Sequence, residues 1–115
     1  MLNNFELVHI GINNDNSKAV NDLAELLAMM FNLQVRQGQK SVFAGQYFEC
    51  MKTPFLGANG HIAMRTDDLE SAMKELEEKG FSFDMSTAQY RENGKIKNVY
   101  LKGEYGGFAI HILQK

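Results

Sequence analysis

The segments VHIGINNDNSKAV (residues 8–20) and GHIAMRTDDLESAM (residues 60–73) say nearly the same thing twice. Each sets a His-Ile pair into a short apolar run with a strand's period of two. Each follows it with acidic or amide residues, then changes to helical spacing. In the first half the strand covers about Glu6 to Asn13, and Asn16 or Ser17 is a ready N-cap. Val20, Leu23, Leu27 and Met30 then recur at helical intervals, and Asn32 ends the helix. Short strands follow near 34–37 and 41–44, with Gly38 in the turn, and QYFECMK makes a third at 46–52.

TPFLGANG (53–60) holds the only proline and two glycines, so it reads as the connection to a second copy of this plan. That copy starts with a strand at about 60–66. Asp67 is the expected cap, with Glu70 completing an Asp-x-x-Glu capping box. Leu69, Ala72, Met73 and Leu76 form the apolar stripe, and Lys79-Gly80 ends the helix. Strands are expected near 81–85, 96–102 and 107–113, with a turn at Asn93-Gly94. Each half is thus strand, helix and three strands. A four-stranded sheet with a helix on one face leaves the other face bare, and two such halves cover it by curling around a shared cavity. The expected fold is α+β, one domain over 1–115, built of two βαβββ modules (about 5–52 and 60–113) with curved mixed sheets.

Composition narrows the partners. The net charge is −2 with a pI near 5.9, so there is no basic surplus to attract nucleic acid or an anionic membrane. No apolar run approaches the ~20 residues of a membrane span, and the first residues lack the pattern of a signal peptide. Cys50 is the only cysteine and cannot form an internal disulfide. The expected location is the cytoplasm. Cys50 is read as an inert core residue, and the methionines as packing.

Strand alternation sorts side chains by face. Val8, Ile10 and Ile12 suit the helix side of the first strand, which turns His9 to the concave side. Ile62 and Met64 do the same for His61 and Arg65. Phe48 and Cys50 do so for Tyr47, Glu49 and Met51, and Phe108, Ile110 and Ile112 for His111. All three histidines and one glutamate therefore share the concave side, on the first and last strands of each half. Three imidazoles and a carboxylate are a plausible set of ligands for a divalent transition metal, here Zn, Ni, Mn, Fe or Co. The candidate metal ligands are His9, Glu49, His61 and His111. Arg65, Tyr47, Asn98 and Tyr100 are candidate substrate contacts on the same side.

This arrangement resembles the vicinal oxygen chelate superfamily, which includes glyoxalase I, extradiol dioxygenases and methylmalonyl-CoA epimerase. The resemblance spans the whole chain and rests on VHIGIN, YFECM, GHIAMRTDDLESAMKELEEKGF and GGFAIHILQK. FELVHIGIN, SVFAG and MKTPFLGANGHIAMRT look closer still to the glyoxalase-like domain appended to some bacterial 2-keto-3-deoxy-6-phosphogluconate or 4-hydroxy-2-oxoglutarate aldolases. The resemblance implies paired βαβββ modules, a metal held at the four matched positions, and a homodimer. The chain departs from glyoxalase I, which usually carries a glutamate where His111 stands, and no first-strand arginine suits glutathione. The implied function is metal-dependent isomerisation, epimerisation or lyase chemistry on a small 2-oxo or hydroxy-carbonyl acid, with Glu49 as the base. The alternatives are a metabolite- or antibiotic-binding protein without turnover, or an accessory subunit that associates with an aldolase.

Overall fold

The computed structural model describes residues 2–115. Its elements run β1 (Glu6–Asn13), α1 (Ser17–Phe31), β2 (Val35–Gln37), β3 (Ser41–Ala44), β4 (Phe48–Met51), β5 (Gly60–Thr66), α2 (Leu69–Glu78), β6 (Phe83–Tyr90), β7 (Ile96–Leu101) and β8 (Phe108–Gln114). The strand-helix-three-strand order thus appears twice. The eight strands form a single sheet in the order β2-β3-β4-β1-β5-β8-β7-β6. β1 runs parallel to β4, and β5 parallel to β8. The two halves join edge to edge through the antiparallel pair β1 and β5, so the shared concave face is continuous.

Each helix starts and stops for a local reason. Asn16 caps α1 by accepting from the Ala19 amide. Asn32 ends it at φ 56°, a left-handed conformation that asparagine tolerates. Asp68, not Asp67, caps α2, and its side chain accepts from the Ser71 amide. The expected capping box is therefore displaced by one residue, and Glu70 falls in the first turn instead.

The core is divided in two. Under α1, Val20, Ala24, Val42, Ala44 and Cys50 are buried, with Leu23 and Leu27 packed against them. Under α2, Leu69 lies against Phe83, Ile96, Val99, Leu101 and Ile112. Met30, which follows the helical spacing of the apolar residues of α1, is about half exposed. Ile10, Ile12 and Phe108 are on the helix side as expected but line a groove rather than either core. β6 is longer than expected, and its register against β7 breaks between Asp84 and Gln89. No helix is long and apolar enough to cross a membrane.

Candidate metal centre

Two rows of paired residues cross the middle of the sheet. In one, Glu49 on β4 pairs with Gly11 on β1, and Gly11 pairs with His61 on β5. In the other, His111 on β8 pairs with Ala63 on β5, and Ala63 pairs with His9 on β1. Residues paired across a ladder point to the same face. The outer strands of each row lie about 10 Å apart, twice the ordinary strand spacing. A small residue between them lets the two long side chains lean together.

The space over Gly11 is already occupied. A Cβ there would stand 2.1 Å from His61 Cε1 and 2.3 Å from its Nδ1. Gly11 is not among the glycines at positive φ, so this position asks for room rather than for unusual backbone.

The four side chains converge from four strands. His9 Nε2 is 3.0 Å from His61 Nε2. Glu49 Oε1 is 3.2 Å from His9 Nε2 and 3.1 Å from His61 Nε2. The three histidines each offer a nitrogen within 4.8 Å of the others. All four residues are buried or half-buried. So many lone pairs aimed at one point repel one another unless a proton or a cation lies between them.

Neighbouring groups fix the orientations. Ser41 Oγ donates to Glu49 Oε2 at 2.9 Å, leaving Oε1 to face the imidazoles. Asn98 Oδ1 accepts from His111 Nδ1 at 2.7 Å. With the proton on Nδ1, His111 Nε2 presents a lone pair, and this buried atom has no hydrogen-bond partner. The Tyr100 ring stacks on His111 at 4.5 Å with 9° between planes. Phe43 meets His9 edge-on at 6.4 Å from the other side.

The electrostatics favour neutral imidazoles at His9 and His111 beside an ionised carboxylate at Glu49. Burial, followed by the neighbouring His61 and His9, pushes His111 down to about 3. Burial also lowers His9, against the opposing charge of Glu49. Burial alone would raise Glu49. Hydrogen bonds with His61 and Ser41, and the positive charge that His9 and His61 carry when protonated, outweigh it and hold the carboxyl below its ordinary value. Neutral nitrogens and a carboxylate oxygen are the donor forms a metal requires. The unpartnered His111 Nε2 and this donor set fit a divalent transition ion.

Asn98 and Tyr100 reach the centre, both through His111. Tyr47 does not. It precedes β4, lies in a turn and is 45% exposed, so strand alternation does not apply to it. Arg65 does not either. It pairs with Glu6 at 2.8 Å near the far end of β5. Ser41, Gly11 and Ala63 went unremarked in the sequence. They matter only through cross-strand neighbours, which no local spacing reveals.

No family model matches the chain, and no curated protein matches it. Solved structures do. A hypothetical protein from Bacillus halodurans C-125 superposes with a TM-score of 0.59 at 17% identity, over 96% of this chain and 94% of its own. A Streptomyces coelicolor methylmalonyl-CoA epimerase in complex with 2-nitronate-propionyl-CoA gives 0.57 at 15%, over 96% and 94%. Methylmalonyl-CoA epimerase from Mycobacterium tuberculosis gives 0.54 at 15%, over 94% and 86%. At these identities the likeness is one of fold, and the fold is glyoxalase-like: a mixed eight-stranded sheet with two helices.

Proposed function

We propose that this protein is a metal-dependent isomerase or epimerase acting on a small 2-oxo or hydroxy-carbonyl acid. The observation that carries the reading is the buried, unpartnered His111 Nε2 beside His9, His61 and Glu49. His9, Glu49, His61 and His111 would hold the ion, which we take to be Zn, Ni, Mn, Fe or Co. When bound, it supplies positive charge to adjacent substrate oxygens and to the negative charge that grows there as a neighbouring C–H loses its proton.

The remaining work falls to the chain. Asn98 keeps the proton of His111 on Nδ1. Ser41 holds Glu49 Oε2 in place. Glu49, ionised at neutral pH, is the proton acceptor we assign, in addition to its place among the ligands. Asn98 and Tyr100 form the substrate side of the centre. The fold shared with methylmalonyl-CoA epimerase supports a proton-transfer outcome. The sequence resemblance to the aldolase-appended domain supports a substrate from keto-deoxy sugar-acid metabolism, and the wider superfamily resemblance supports a homodimer.

The donor count favours a second reading. Four protein donors fill a tetrahedral shell, and a filled shell suits binding without turnover.

The test is chelation followed by reconstitution. The wild-type chain should take up one ion per chain. His111→Ala should lose more than the ~10–100-fold that disturbing a ligand's supporting partner costs, with its melting temperature preserved, because Ile110 and Ile112 keep their places on the helix side. Unchanged metal uptake with lost stability would mean that His111 is only a structural residue. Deuterium exchange into 2-oxobutyrate, followed by NMR on the loaded protein, separates turnover from sequestration.

A further inference from the structure

We propose that the cavity beside His111 binds the anionic end of a short carbonyl acid, and that Lys40 is the residue that reads its charge. The inference rests on the functional reading above and narrows its substrate. The cavity has a volume of about 440 Å³ and is lined by Lys40, Met51, Thr53, Phe55, Gln89 and Tyr100, among others. That volume is within the range of small-ligand sites. Tyr100 links it to the centre, since the ring that walls the cavity is the one stacked on His111.

Charge decides what the cavity accepts. Lys40 is the only charged residue in its lining, and no carboxylate lines it. Among the described residues Lys18, Lys79, Lys115 and Arg65 each pair with a carboxylate, and Lys40 pairs with none. Two cations close to this lining in sequence have other partners. Lys52 Nζ donates to the Gly38 carbonyl at 3.1 Å, and Arg36 lies over the Phe43 ring at 4.2 Å. An ammonium without a carboxylate partner, in a lining that also holds Thr53 and Gln89, suits a carboxylate or a phosphate.

Two aromatic groups set the size. Tyr100 forms a buried wall, and Phe55 meets it edge-on at 5.7 Å while remaining 68% exposed. Phe55 belongs to the connector between the halves. An aromatic ring left exposed at a cavity rim gains from covering a bound molecule. The break in β6 register before Gln89 is of the kind that re-aims side chains beside a site.

Calorimetric titration of the metal-loaded chain tests this with four probes: 2-oxobutyrate, its methyl ester, inorganic phosphate and acetyl-CoA. The acid should bind at least about tenfold more tightly than the ester, as expected for one charge-assisted hydrogen bond. Lys40→Ala should remove that preference and Lys40→Arg should retain it, with metal affinity and melting temperature unchanged in both. Acid and ester binding equally, or Lys40→Ala leaving the acid unaffected, would overturn the proposal. So would acetyl-CoA binding more tightly than either acid or phosphate. Phosphate outcompeting the acid would assign the subsite to a phosphate end; the reverse order assigns it to a carboxylate. If the wild type takes up no metal, the functional reading fails by itself. The same titration on metal-free protein then decides the subsite, which stands if the Lys40-dependent preference persists and falls if it does not.

Discussion

Gly11 shows how a residue without a side chain can determine a site. It stands between Glu49 and His61, and a Cβ there would overlap the His61 ring. Gly11→Ala should therefore cost metal affinity by ~10–100-fold, the range seen when a ligand's supporting groups are disturbed. Overpacking should also lower stability by about 1–3 kcal/mol. A second variant separates positioning from general damage. If Gly11 acts through His61, adding Gly11→Ala to His61→Ala should cost no further metal affinity and little stability. Additive losses in metal titrations and melting curves would refute the role. The histidines themselves were legible from period two, because each has apolar neighbours that commit the opposite face to a helix. Gly11, Ala63 and Ser41 were not, because their meaning depends on which strand lies alongside.

At the scale of elements, the helices were read well and their edges less so. Asn16 and Asn32 bound α1 as their chemistry suggests. The cap of α2 moved from Asp67 to Asp68, since two adjacent aspartates offer the same chemistry and only the chain's exit from β5 chooses between them. Met30 has helical spacing but exceeds the arc that the sheet covers, so it stays at the surface. The contact of α2 with Asn3 had no signature in the sequence. Glu75 accepts from the Asn3 amide nitrogens and from Lys79 Nζ, tying the N-terminal segment to the helix. Hydrogen bonds with Lys79 and Asn3 lower its carboxyl from 4.5 to about 2. The folded state therefore binds this proton more weakly than the unfolded state. The stabilisation is present in full above pH 4.5 and is lost as pH falls towards 2. Glu75→Gln should melt below the wild type at pH 7, and the gap should close across that window. A gap independent of pH would show that the glutamine loses packing rather than a charged contact.

For the whole molecule, the decisive join is β1 to β5. It was open from sequence whether the two halves close within one chain or across two, because the duplicated pattern suits both. The radius of gyration is 15.2 Å with a long axis of 41 Å, against about 13 Å for an average globule of this length. An eight-stranded sheet accounts for that shape, since seven strand spacings of ~4.8 Å already span ~34 Å. The last turns of α1 carry Leu26, Met29, Met30 and Phe31, all more than half exposed, and such a patch suits self-association. Yet β4, β1, β5 and β8 of one chain supply all four proposed ligands, Glu49, His9, His61 and His111. The metal content should accordingly be one ion per chain at every concentration. Dilution should leave it unchanged, as should Met29→Glu combined with Met30→Glu, which ought to weaken any dimer formed through α1. Metal analysis alongside sedimentation over a hundredfold dilution series checks this. Half an ion per chain, or metal released in step with dissociation, would mean that the centre is completed between subunits and that β1 pairs with the β5 of another copy.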